Sequence, residues 1–166
     1  MCTKAFHLHK ILDATHRLLH GQVAFAWIKY LKVDCVLIAN DEIANDSLRT
    51  AALRMARPDN VKLVIKGLDE SIEALNSGIT DKYNLLILLE NVKDACELAE
   101  KVAAIKVVNL GGAKDGEGKR QVAKAFFVNN QEINIMKRAA KKVSTRFEVQ
   151  MVPNDKVQDV FKLIGE

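Results

Sequence analysis

Six short apolar runs read as strands: Val36–Ala39, Val61–Ile65, Asn84–Leu89, Ile105–Val108, Ala125–Val128 and Phe147–Met151. Several of them show almost no polar–apolar alternation, so both faces of those strands must be covered. Between the runs the pattern changes to a helical period. Val92, Ala95, Cys96, Ala99, Val102 and Ala103 share one face, as do Ile133, Met136, Ala140 and Val143, and later Val157, Val160, Phe161 and Ile164. Asn45 and Asp46 are N-cap candidates for a helix running to about Met55 and stopped by Pro58. Asp69 is the candidate cap of the next helix, which ends near Gly78. A first helix is expected from about Gly21, carrying Val23, Trp27 and Tyr30. Strand then helix, repeated, implies an α/β fold. We expect an open, mostly parallel twisted sheet of about seven strands with helices on both faces.

The 166 residues suit a single domain spanning 1–166, long enough to bury its own core. No linker, composition break or low-complexity segment divides them. Lys and Arg number 25 against 21 Asp and Glu, a formal net charge of +4 that is too small and too dispersed to argue for nucleic acid. The longest apolar runs, Val23–Ile28 and Leu85–Leu89, are too short to span a membrane, and Met1–Lys10 has no apolar signal core. Cys2, Cys35 and Cys96 lie far apart without a CxxC, which excludes a disulfide scaffold and a cysteine zinc site and fits a reducing cytosol. His7 and His9 could share a strand face, but no third ligand follows at a metal-binding spacing. Cys35 reads as a small core residue rather than a nucleophile.

In an open α/β sheet, ligands bind beyond the carboxyl ends of the strands. The polar and glycine residues collect there: Asp13 to His20, Asn40–Asp41, Lys66–Gly67, Glu90–Asn91, Asn109–Gly112 and Asn129–Asn130. The segment Thr15-His16-Arg17-Leu18-Leu19-His20-Gly21-Gln22-Val23 follows the first strand and opens a helix. Unpaired N–H groups at a helix start favour an anion, Gly21 permits close approach, and Arg17 offers a planar fork of donors. With His20 these form the parts of a phosphohistidine site. A lone histidine in a helix-start loop is usually a surface or capping residue. The stretch Asn109–Lys119, the longest irregular one expected, imitates a Walker loop, but Glu117 stands where the lysine must be. A dinucleotide pattern starting at Gly116 fails at Gln121. The loop is best read as flexible, at a strand end.

Four blocks carry a family resemblance: Arg17-Leu18-Leu19-His20-Gly21-Gln22-Val23, Asn40-Asp41-Glu42-Ile43-Ala44-Asn45-Asp46, Asn109-Leu110-Gly111-Gly112 and Val149-Gln150-Met151-Val152-Pro153. In this order they resemble the enzyme IIB components of the mannose–fructose–sorbose class of the bacterial sugar phosphotransferase system, over essentially the whole chain. The resemblance implies that His20 is the phosphorylated nucleophile and that Arg17 stabilises the phosphoryl group. The helix-start loop puts Gly21 and Gln22 in the phosphate-binding loop, and the strand-end pattern puts Asn40, Asp41, Gly111 and Gly112 on the expected crevice rim. The resemblance implies a partner IIA component as donor, membrane IIC and IID components with the transported sugar as acceptor, and a homodimer as the family's arrangement. It implies no cofactor and no metal, and a cytoplasmic location at the inner membrane face. The sugar is not encoded here. One departure stands out: Thr15 and His16 occupy positions where the family usually has acidic residues. That departure speaks for an alternative, a regulatory or ligand-binding domain of the same fold without relay activity.

Overall fold

β2 (Cys35–Ala39) and β4 (Leu85–Leu89) are buried at every position. Their side chains sort by the two-residue strand period into opposite layers. Cys35, Leu37, Ala39, Leu85, Ile87 and Leu89 join one core, while Val36, Ile38, Leu86 and Leu88 join the other. A strand that feeds two cores has no position for a polar residue, which is why these runs are continuous. The computed structural model describes residues 8–14, 19, 22–113 and 115–165.

The strands divide between two sheets, where the sequence pattern implies one. The seven-stranded sheet has the order β3 (Lys62–Lys66), β2, β4, β1 (Leu8–Ala14), β5 (Val107–Gly112), β8 (Arg146–Val149) and β9 (Gln158–Asp159). Its pairings are parallel except for β8 with β9. β6 (Arg120–Ala123) and β7 (Phe126–Val128) form a separate antiparallel pair. The expected strand at Ala125–Val128 therefore leaves the main sheet. Phe126 and Val128 are buried among the side chains of the first core instead.

Helices cover both faces. α1 (Gln22–Leu31), α2 (Asp41–Ala44) and α3 (Ser47–Ala56) pack Trp27, Ile28, Ile43 and Leu53 into the second core, together with Leu19. α4 (Leu68–Asn76), α5 (Val92–Lys101), α6 (Asn130–Lys142) and α7 (Val160–Ile164) cover the first core. Asp46 caps α3 as expected, its Oδ1 accepting from the amides of Leu48 and Arg49 at 3.0 Å each. Asn45 instead ends α2, a one-turn helix that the apolar period is too short to reveal.

Three local readings are corrected. Gly111 and Gly112 lie within β5 rather than in a loop, since β5 continues to Gly112 and Ala113 then bridges to Phe126. Asp69 sits in the first turn of α4, whose N-cap is Gly67. Val157 is exposed ahead of β9, and the last helix begins only at Val160.

Candidate functional site

The chain direction reverses between β1 and β4. From β1 it passes through α1 to β2 and then through α2 and α3 to β3, covering one face. From β3 it returns through α4 to β4 and then through α5 to β5, covering the other. Adjacent strands β1 and β4 thus send their carboxyl-end connections to opposite faces, which opens a crevice between them. The register fixes what stands there. Asp13 pairs with Leu89, and Ile38 with Leu88, so Ala14, Glu90 and Asn40 stand level on neighbouring strands.

Asn40 and Glu90 meet at this level. Asn40 is 5% exposed; its Oδ1 accepts from the Ile43 amide at 2.8 Å, and its Nδ2 donates to Glu90 Oε2 at 2.8 Å. Arg49 of α3 donates from Nη2 to the other carboxylate oxygen, Oε1, at 3.0 Å. Glu90 is therefore oriented by a buried amide and paired with a cation carried on the second layer of helices. The expected rim residue Asn40 is thereby brought to the crevice.

Asp41 also lines the crevice, but its carboxylate has structural work. Its Oδ1 accepts from the Leu68 amide at 2.8 Å and so caps α4 in place of Gly67. A Cβ on Gly67 would come within 2.6 Å of that oxygen, so the cap requires glycine. Asp41, Glu42, Glu90, Asp94, Lys93 and Glu132 all face a cleft of about 460 Å³. Burial pushes the Asp94 carboxyl upward, opposed by a hydrogen bond from Asn91, while the nearby charges of Asp41 and Glu97 add to the rise. Glu132 is held by Lys119 at 2.8 Å and completes a capping box with Asn129. This wall of the crevice is acidic and repels an anion unless a cation offsets it.

Of the glycines expected at the rim, Gly112 pairs with Ala14 and so stands level with Glu90 and Asn40 on the far side of β1, while neither glycine lines the cleft that Asn40 and Asp41 line. Gly111 lines a different cavity of about 300 Å³ with Lys124, Gln150, Met151 and Lys156. Gly112 passes close to the hairpin, where a Cβ would meet the Ala125 carbonyl oxygen at 3.4 Å. The block at Val149–Pro153 is fixed by side chains from elsewhere. Asn109 Nδ2 donates to the Gln150 carbonyl at 2.9 Å, and Trp27 Nε1 donates to the Met151 carbonyl at 3.0 Å.

Arg17, His20 and Gly21 lie outside the described residues, as do Thr15, His16 and His7. What the structure gives is the frame around them. β1 ends at Ala14 beside Glu90, Leu19 is fully buried in the core beneath α1, α2 and α3, and Gln22 opens α1. Arg49 and its partnership with Glu90 were not singled out from the sequence. The available signal was the position of Arg49 in the first turn after the Asp46 cap, immediately past the second family block. Cys35 is confirmed as a core residue: it is 2% exposed, and burial, reinforced by Asp34, raises its thiol pKa to about 11. Among the described residues no helix is long and apolar enough to cross a membrane, and no cluster of His, Cys, Asp or Glu could hold a metal ion.

A doubly wound α/β sheet with a polar crevice at its switch point, beside the end of β1, defines the class of protein. Comparison with known proteins is more specific. Residues 10–166 match the family described as PTS system sorbose subfamily IIB component, and the chain belongs to that family. It is 28% identical over 148 residues to the fructose-specific EIIB component of Bacillus subtilis, covering 89% of this chain and 90% of that protein. It is 31% identical over 153 residues to the mannose-specific EIIAB component of Escherichia coli, covering 90% of this chain but 46% of that protein. Its fold superposes on the crystal structure of the IIBSor domain of the sorbose permease from Klebsiella pneumoniae with a TM-score of 0.84. That match has 25% identity and covers 94% of this chain and 96% of the other.

Proposed function

We propose that this chain is a single-domain phosphohistidine relay acting in sugar uptake. His20 accepts a phosphoryl group from a IIA component and passes it to a sugar carried by membrane IIC and IID components. The observation that supports this reading is membership of the IIB family over residues 10–166, with β1 ending at Ala14 beside Glu90 at the switch point of the sheet. The EIIAB name of the Escherichia coli relative supports a IIA partner, since it joins IIA and IIB in one protein.

In the first step the lone pair of a neutral His20 nitrogen forms a bond to phosphorus as the donor histidine's N–P bond breaks. In the second, a sugar hydroxyl oxygen forms the new P–O bond, the His20 N–P bond breaks, and the hydroxyl proton is released. An imidazole of ordinary pKa, about 6.5, is mostly neutral at pH 7.5 and so competent to attack. Arg17, the amide of Gly21 and the start of α1 at Gln22 offset the phosphoryl charge. Transfer between two imidazoles is close to balanced in energy, so positioning supplies most of the catalysis. The working location is the cytoplasmic face of the membrane. A second reading, a regulatory or ligand-binding domain of the same fold, draws on Thr15 and His16 and on the acidic wall of the crevice.

Acid-labile phosphate incorporation tests the relay. The protein and its His20→Ala variant are incubated with phosphoenolpyruvate, the general phosphotransferase proteins and a IIA component, then weighed by intact mass spectrometry. One phosphoryl group on the unmodified protein and none on His20→Ala is expected. Equal labelling of both removes His20 from the mechanism. No labelling of either, beside a working IIB control, transfers the case to the regulatory reading.

A further inference from the structure

We propose that the cavity at the carboxyl ends of β5 and β8 binds a small phosphate monoester that carries hydroxyl groups, a sugar phosphate in chemical class. The anionic half of this assignment rests on the cavity alone; its sugar half rests on the relay reading above. The cavity, of about 300 Å³, is built on Gly111 of β5 and Val149 of β8, whereas the acidic cleft is lined by residues that follow β2 and β4. Its volume stands at the small end of ligand pockets and suits a ligand of hexose size. Gly111, Val149 and Gln150 form a buried floor. Lys124, in the turn between β6 and β7, forms the exposed rim with Asp155, Lys156 and Gln158.

The bonding already made around the cavity selects an anion. Several main-chain acceptors of its lining are occupied by protein donors. Gln121 Nε2 donates to the Lys124 carbonyl at 3.1 Å, the Ala113 amide to that of Ala125 at 2.8 Å, and Gln150 Nε2 to that of Asp155 at 2.9 Å. The carbonyls of Gln150 and Met151 receive the bonds from Asn109 and Trp27 described above. The charged donors are in the opposite state. Neither Lys124 nor Lys156 has a hydrogen-bond or ion-pair partner among the described residues. Lys101, Lys119 and Lys142, by contrast, are each held by a carboxylate. Two unpaired ammonium groups beside occupied acceptors favour a ligand that brings acceptors and negative charge.

Asp155 adds the preference for hydroxyls. Its Oδ2 accepts from the Val152 amide at 3.3 Å, which leaves Oδ1 as an acceptor at the rim. A bare phosphate meets only repulsion from that oxygen, whereas a sugar hydroxyl donates to it. The loop that carries Asp155 is held in place, because buried Gln150 donates to the carbonyls of both Pro153 and Asp155. Less ordering is then left for the ligand to impose. The acidic cleft sets Asp41, Glu42, Glu90 and Asp94 against Lys93 and so repels the same ligand; here two cations stand against one carboxylate. Binding is reversible, and no covalent bond changes.

Isothermal titration calorimetry on the intact chain, with no phosphoryl donor present, tests this. The ligands are mannose and fructose, each with and without a phosphate on a primary hydroxyl, and inorganic phosphate. At least one of the two sugar phosphates should saturate one site, about tenfold or more tighter than its free sugar and than inorganic phosphate. Lys124→Ala and Lys156→Ala should each weaken it about tenfold, and the affinity should fall as salt rises. Asp155→Asn should tighten inorganic phosphate and narrow the preference for sugar phosphate. Lys141→Ala, an exposed lysine of α6 that does not line the cavity, should bind as the unmodified protein does. Should an alanine variant fold poorly, Lys124→Gln and Lys156→Gln decide the matter in its place. No saturable binding of either sugar phosphate, or undiminished binding when both lysines are replaced, would overturn the proposal. Inorganic phosphate binding as tightly as the sugar phosphates would overturn its sugar half. A chain that binds sugar phosphate yet accepts no phosphoryl group brings down the relay reading alone. A chain that is labelled on His20 yet binds no sugar phosphate brings down this inference alone.

Discussion

The two ends of the central sheet use polar side chains for different ends. At the amino ends of the strands, side chains satisfy main-chain groups. Asn84 Nδ2 donates to the carbonyls of Leu31 and Lys32 at 2.5 and 2.7 Å, and its amide donates to Asp34 Oδ1 at 2.8 Å. These bonds close the turn after α1, where Lys32 has a φ of 52°. At the carboxyl ends, side chains from separate elements bond one another: Asn40 to Glu90, and Arg49 to Glu90. The first arrangement is a solution to chain reversal. The second is not needed to close any turn, and it lies where the sheet changes winding direction. What distinguishes the carboxyl end is one carboxylate, Glu90, bonded by side chains from two other elements, where the amino end has the simple Lys62–Tyr83 pair.

The largest effect expected outside the site itself comes from Trp27, which is fully buried and tied to Met151. Trp27→Ala should cost about 3–5 kcal/mol in denaturant unfolding. Hydrogen exchange should rise around α1 and residues 150–153 before it rises at the amino-end turn. Uniform exchange would show that the two ends are not separable.

Next come two matched truncations. Asn40→Ala and Asn84→Ala should each cost about 1–2 kcal/mol, through a lost helix cap and lost turn bonds respectively. Asn40→Ala should also change the rate of phosphoryl transfer, because Glu90 at the crevice loses the donor that orients it. Asn84→Ala should transfer at the unmodified rate once folded. Equal transfer defects in the two variants would erase the distinction drawn above.

The smallest effect is spectroscopic. Lys62 Nζ donates to the Tyr83 hydroxyl at 2.7 Å, a contact at the amino end that lowers the phenol pKa; the charge of Lys82 also lowers it. In a Tyr30→Phe background Tyr83 is the remaining tyrosine of the two in the chain, so ultraviolet titration reads it alone. Lys62→Met should move its ionisation to higher pH, with the phosphoryl-transfer rate unchanged. An unmoved titration would remove the Lys62 contact.

The legible parts of the fold are those where one physical signal dominates. β2 and β4 are visible because continuous burial demands apolar runs, and α3 because the Asp46 cap and Pro58 bracket it. Ala125–Val128 was legible as a strand but not as a partner of β6, because β6 carries Arg120 and Gln121 on an exposed edge and has no apolar run of its own. Asn109–Gly112 was masked by its glycines, which suggest a turn although they continue β5 beside β1. At the site, the block around Asn40 was visible by its residues, yet Asp41 proves to be a cap for α4. That role depends on Gly67, 26 positions away, and no local pattern announces it. Glu90 was visible as a strand end, whereas its coupling to Arg49 follows from packing α3 above the switch point.

Trp27 is the sole tryptophan in the chain. Its indole is edge-on to Tyr30 at 6.1 Å and bonded through Nε1 to the Met151 carbonyl. Indole emission responds to that bond and to solvent, so the molecule carries its own optical gauge. A stopped-flow trace of its fluorescence follows α1 and the turn at Met151 in real time, with no dye attached and no residue replaced.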